Sequence, residues 1–213
     1  MILPSRRDLI LGIAAISASN AHAATLPRAR VFAAYRNGRK IGEHRLSFEG
    51  AGEALTVRVR AEMAVKIGPV TVFRYLHEVT EQWWSGQFEA LSSRTNSNGK
   101  GESVEAQRTP GGVSIRAGAA SVTGPAATLP MTHWNRRTVG APLFNPQTGK
   151  LLALTVRDLG EEALVAPDGR VLKARRYAFT GDAWIENWYD GQGVWTALRG
   201  RLDDGSTMDY RRI

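Results

Sequence analysis

Between residues 55 and 67 the chain alternates with period two. Leu55, Val57, Val59, Ala61, Met63, Val65 and Ile67 are apolar, and Thr56, Arg58, Arg60, Glu62 and Lys66 stand between them. A helix advances 100° per residue and cannot hold that set on one side. A strand points successive side chains to opposite faces and gathers all seven on one. The run is longer than an ordinary strand of about 5–6 residues, so it requires a large sheet with one face on a core and one in water.

Residues 70–84, VTVFRYLHEVTEQWW, follow after Gly68-Pro69 and are dense in β-branched and aromatic side chains. As a strand they place Phe73, Tyr75, His77, Val79, Glu81 and Trp83 on one face. As a helix they would align Val72, Leu76, Val79 and Trp83. Composition and the surrounding meander favour the strand. Turn signals punctuate the rest of the chain. Asn37-Gly38, two residues that tolerate positive φ, joins strand-like residues 31–35 and 41–48. Ser85-Gly86, residues 96–101, Pro110-Gly111-Gly112, Pro167-Asp168-Gly169, residues 190–193 and residues 203–206 separate further runs at 88–95, 102–108, 113–117, 151–157, 163–165, 171–180, 183–189, 194–201 and 207–212. The expected fold is mainly β: one antiparallel meander of roughly eleven to thirteen strands, curled into an open half-barrel or β-roll.

Residues 124–149 interrupt this rhythm with Pro125, Pro130, Pro142 and Pro146. A segment of that length without alternation is characteristic of a functional loop or a concealed helix. The spacing predicts one short helix within residues 131–139.

The first 23 residues read as an export signal. Arg6-Arg7 precede an apolar run, residues 9–18, that is too short to span a bilayer, and Ala21-His22-Ala23 supplies a small-x-small cleavage pattern. The paired arginines match a twin-arginine signal, which would engage that export machinery and deliver the protein to the periplasm after cleavage near Ala23. Residues 24–213 are then expected to form a single domain with no integral membrane segment. The chain has no cysteine, so it carries no disulfide, no thiolate nucleophile and no lipoprotein anchor.

His77-Glu78 with Glu81 and Trp83, the Asn-rich turn with Gly99, His133-Trp134-Asn135, Asn145-Pro146 with Thr148-Gly149, and Trp188-Tyr189-Asp190 occur in that order. Together they make the chain resemble an uncharacterised domain-of-unknown-function family of exported proteobacterial proteins, over nearly all of the segment after residue 23. Related exported β proteins are similar to the lipoprotein-carrier fold, an open half-barrel whose concave face takes acyl chains. The resemblance therefore implies, by fold analogy alone, a lipid-like ligand or an envelope protein as partner.

Catalytic signatures are sparse. His77-Glu78-Val79-Thr80-Glu81 has glutamate where a zinc-binding helix needs its second histidine. Three histidines, His44, His77 and His133, lie far apart beyond the signal. The expectation is no metal and no cofactor, with two histidines plus Glu78 or Glu81 as the alternative if strands bring them together. No Gly-x-Ser-x-Gly elbow is present, and on a strand Glu78 and Glu81 face opposite ways, which argues against a carboxylate dyad. The net charge of +8 is spread without a block of five like charges. That pattern and the export signal exclude nucleic acid as the expected partner. His77, Glu81, Trp83, His133, Trp134, Asn135 and Trp188 are the candidate ligand-binding residues. The expected function is non-enzymatic binding of an apolar or amphipathic ligand, or of an envelope partner, on a concave sheet. The alternative is a hydrolase- or isomerase-type enzyme using His77 with His133 or Glu81.

Overall fold

The computed structural model of the chain describes residues 29–166 and 169–213. The expected signal and its cleavage site lie outside the described residues, as does part of the Pro167-Asp168-Gly169 turn. Eight strands follow one another as β1 (Ala29–Arg36), β2 (Arg39–Ala51), β3 (Ala54–Ile67), β4 (Val70–Trp84), β5 (Gln87–Ser97), β6 (Lys100–Thr109), β7 (Gly112–Ala117) and β8 (Ala120–Gly124). After the mid-chain segment come β12 (Leu154–Val165), β13 (Val171–Gly181), β14 (Trp184–Asp190), β15 (Trp195–Arg201) and β16 (Thr207–Arg212). All thirteen form one antiparallel sheet in the order β12-β13-β14-β15-β16-β1-β2-β3-β4-β5-β6-β7-β8. The last strand thus pairs with the first, while β12 and β8 remain as edges. The sheet is large, curled and antiparallel, and it is not closed into a barrel.

Local chemistry explains most boundaries. Asn37 and Gly38 adopt φ of +48° and +78°, the left-handed pair that a two-residue hairpin requires. Two details differ from the sequence expectation. Residues 151–157 and 163–165 do not make two separate strands of the large sheet; Leu151–Leu152 form a short strand of their own, and β12 runs from Leu154 through Val165 with a register shift between Asp158 and Glu161. Strand β8 was not expected, because four of its five residues are exposed and it carries no apolar stripe.

The long alternation is β3, and β4 pairs along its whole length. Ala61 lies opposite His77, Val59 opposite Val79, Val57 opposite Glu81 and Leu55 opposite Trp83. His77, Val79, Glu81 and Trp83 are accordingly buried on the same face as the apolar set of β3. Glu78 points to the other side, where it ion-pairs with Arg60. One-residue alternation in β4 thus sends the two glutamates into different solvents.

The mid-chain segment crosses the concave interior from β8 back to β12. It contains the short strands β9 (Leu129–Pro130), β10 (Leu143–Phe144) and β11 (Leu151–Leu152), which form a second, three-stranded sheet. Its helix is a single 3-10 turn, Arg136–Gly140, rather than a helix over residues 131–139. His133 holds φ at +64° and Asn135 bridges to Val194, so the chain before Arg136 is fixed in non-helical geometry. Leu129, Met131, Leu143 and Phe144 join Phe32, Leu46, Phe88, Leu91, Tyr189 and Trp195 in one core. Apolar burial at roughly 25 cal/mol per Å² is the main force holding the segment onto the sheet. The concave face that would be open in a half-barrel is occupied by the chain itself.

Candidate functional site

One cavity of about 160 Å³ remains between the mid-chain segment and the sheet, and the three histidines among the described residues, His44, His77 and His133, line it. His44 comes from β2, His77 from β4 and His133 from the segment. Val59, Val79, Met131 and Leu152 supply apolar wall, and Tyr75 and Tyr210 add phenols. The histidines are brought together because β2, β3 and β4 are neighbours: His44, Ala61 and His77 stand in register across the three strands.

The imidazoles differ in how they are satisfied. His77 Nδ1 lies 2.8 Å from Thr95 Oγ1. His133 Nδ1 lies 3.3 Å from Asn187 Nδ2. Asn187 also accepts from the Trp195 indole through Oδ1 at 3.0 Å, which orients its amide so that the NH₂ faces His133. Nδ1 of His133 must then accept, and its proton sits on Nε2. The Tyr189 hydroxyl donates to the His133 carbonyl at 2.8 Å, and the His133 ring stacks on Trp195 with centroids 5.5 Å apart. These contacts hold a non-glycine residue at a left-handed φ, a conformation that concentrates at functional sites. His44 is the exception. It is 6% exposed, and neither ring nitrogen has a hydrogen-bond partner.

Burial pushes His44 down to about 3, helped by the neighbouring His133 and His77, and it pushes His77 and His133 down to about 4. All three are neutral at physiological pH. Burial raises Tyr75 and Tyr210, which keeps both phenols protonated. Around the histidines the cavity therefore offers uncharged donors and acceptors in an apolar setting, and Asp182, exposed and accepting from the Ala153 amide, is the carboxylate in its lining. Among the described residues no three His, Cys, Asp or Glu side chains are grouped as a metal ion requires.

Glu81 does not face this cavity. Its carboxylate is fully buried and accepts from Trp83 Nε1 at 2.8 Å and from Trp134 Nε1 at 3.0 and 3.2 Å. The Thr132 hydroxyl lies near enough to favour the carboxylate, although Oγ1 itself is outside hydrogen-bond geometry. Burial outweighs these donors and raises Glu81 to about 7. Trp134 meets Trp83 and Phe48 edge-on, with centroids 5.4 and 5.5 Å away. This cluster rivets the mid-chain segment to β2 and β4.

The remaining candidates are placed elsewhere. Asn135 caps the 3-10 turn, accepting from the Arg137 amide at 3.0 Å. Trp188 lies between Asn187 and Tyr189, both of which reach His133, so strand alternation turns it to the opposite face. There its indole donates to Glu162 beneath the Arg176 guanidinium. The structure thus joins His77 and His133, groups Glu81, Trp83 and Trp134 separately, and removes Trp188 from both. Sequence reasoning missed His44 and Tyr210 as cavity residues. His44 carried a signal, since it sits at an inward position of a strand beside β3. Tyr210 carried none, because only the pairing of β16 with β1 brings it there.

Comparison with known proteins adds the fold and the family. A beta-barrel-like protein of domain of unknown function DUF1849 from Brucella abortus superposes with a TM-score of 0.58 at 13% sequence identity, over 87% of this chain and 94% of that one. At that identity the likeness concerns the fold alone. No curated protein matches the sequence. The model of the domain of unknown function DUF6134 matches residues 32–213. The family sequence model thus runs from β1 through the last strand, across both the curled sheet and the segment that fills it, and the chain belongs to the DUF6134 family.

Proposed function

We propose that this protein is an exported, non-enzymatic binding protein whose ligand occupies the three-histidine cavity. The observation that carries the reading is His44, buried with both ring nitrogens unpaired in the cavity wall. Both nitrogens are shielded from contact in the fold, so a ligand removes the roughly 1–3 kcal/mol cost of an unsatisfied buried polar group as the imidazole turns toward the cavity. The 160 Å³ space holds about five waters at ~30 Å³ each and is smaller than the ~300 Å³ where drug-sized pockets begin. It suits a small, uncharged molecule with both donor and acceptor groups. An acyl chain needs a long apolar groove, and the mid-chain segment fills the interior where one would run.

Acid–base catalysis is less well supported. A general base works best with a pKa near the working pH, whereas His77 and His133 are held near 4, and Glu81, near 7, is fully buried under two indoles and does not line the cavity. The partner of His77 is a threonine rather than a carboxylate. The twin-arginine pattern at Arg6-Arg7 supports export to the periplasm.

Native mass spectrometry of protein isolated from the periplasm of its own cells tests the reading. The expected result is a small-molecule adduct that is absent from His44→Phe protein prepared in the same way. A bare wild-type chain, or an adduct indifferent to His44→Phe, would sink it.

A further inference from the structure

The β3–β4 hairpin outruns its neighbours. Pairing of β2 with β3 ends at Gly42 and Met63, and pairing of β4 with β5 begins at Tyr75 and Ser97. Between these limits Val65 faces Phe73, Lys66 faces Thr71 and Ile67 faces Val70, and residues 65–73 pair with no other strand among the described residues. A bare two-stranded ribbon is only marginally stable in water. This one is tipped with apolar side chains: Ile67 is 68%, Val70 60% and Val72 47% exposed, with Pro69 exposed between them.

The charges around the tip have one sign. Residues 63–77 contain Lys66 and Arg74 and no acidic residue. Below the tip, on the face of β2–β4 away from the core, lies an open groove of about 740 Å³ lined by Lys40, Arg45, Arg60, Lys66 and Arg74. Its two acids pair with three of these cations, Glu43 with Lys40 and Arg45 and Glu62 with Arg60, which Glu78 also engages, so Lys66 and Arg74 nearest the tip are the groove cations in no ion pair among the described residues. Apolar side chains at the end of a projecting element, above a basic groove, match the layering of an anionic bilayer: acyl boundary beyond, phosphates beneath. No helix among the described residues is long and apolar enough to cross a membrane.

We infer that the β3–β4 tip docks on an anionic lipid surface, with Ile67, Val70 and Val72 entering the headgroup boundary and Lys66, Arg74 and the groove cations meeting lipid phosphates. Flotation of the purified protein with vesicles tests this, using phosphatidylcholine alone or mixed with phosphatidylglycerol. Binding is expected only to the mixed vesicles. Val70→Asp is expected to weaken it by at least about tenfold, since it places a charge where apolar surface would be buried. Lys66→Glu and Arg74→Glu should each weaken it about fivefold or more. All three positions are exposed, and circular dichroism verifies that the variants fold. A Val70→Trp variant should show a blue-shifted emission on the mixed vesicles alone. Absence of binding to mixed vesicles would overturn the inference, and so would binding unaffected by Val70→Asp. Self-association in light scattering that Val70→Asp abolishes, without vesicle binding, would assign the tip to a second copy of the chain instead.

Discussion

Glu81 and His44 are both ionisable side chains deep inside the same sheet, 0% and 6% exposed, and both lie beneath the mid-chain segment. Their surroundings are opposite. Two indole N–H groups converge on the Glu81 carboxylate, one from its own strand and one from the segment. Around His44 there are aromatic rings, Phe32, Trp195 and Tyr210 among them, and no hydrogen-bond partner for either nitrogen. A buried polar group that is satisfied by the fold is part of the fold's scaffolding. One left unsatisfied beside a cavity is the observation on which the proposed binding role rests.

The sharpest way to break this comparison is to remove Glu81. Glu81→Leu strands the Trp83 and Trp134 donors in an apolar interior, and two unpaired donors at about 1–3 kcal/mol each make a loss of about 4 kcal/mol the expected outcome in urea unfolding. Glu81→Gln keeps an acceptor and should lose clearly less. If Glu81→Leu unfolded at the wild-type midpoint, the riveting role assigned to this cluster would be wrong.

Titration gives the next largest effect, with opposite signs for Glu81 and for the histidines beside His44. Glu81 has a folded pKa near 7, above its ordinary 4.5. The fold therefore holds the proton more tightly than the unfolded chain does. That contribution is present below pH 4.5 and is lost as pH rises through 7, amounting to about 3 kcal/mol. His77 and His133, depressed from 6.5 to about 4, behave the other way. Their contribution is complete above pH 6.5 and is lost as pH falls through 4, again about 3 kcal/mol each. Stability curves measured from pH 4 to 8 should show the wild-type advantage over Glu81→Gln shrinking toward alkaline pH. A pH-independent difference would contradict the buried, raised carboxylate.

The smallest expected effect has the opposite sign. His44→Phe keeps an aromatic ring against Trp195 and deletes two unpaired nitrogens, so the ligand-free protein should gain about 1 kcal/mol or stay level in thermal unfolding. A loss above about 2 kcal/mol would mean that His44 has a structural partner in solution, and the contrast with Glu81 would collapse.

Much of this was legible in the residues. Alternation in β3 determined a half-buried strand in a large sheet, Asn37-Gly38 determined a tight hairpin, and parity along β4 placed His77, Glu81 and Trp83 on one inward face. These are local consequences of backbone geometry and side-chain period. The division of labour among the candidates was not legible. Glu81 and His77 share a face of β4, four residues apart, yet one is saturated by indoles and the other opens on a cavity, because Trp134 and Met131 descend on different parts of that face. Nor was the helical span. Residues 131–135 are held by Tyr189, Trp195 and Val194, more than fifty residues away in sequence.

By itself, then, the sequence determined the β class, the meander, most of its turns and which sides of β3 and β4 are wet, since each depends on residues close along the chain. Tertiary structure alone decided that β16 pairs with β1, that residues 125–150 fill the concave face, and that three scattered histidines meet around one small space. Those outcomes depend on the accumulated curl of thirteen strands and on packing between residues distant in sequence, which no local period encodes.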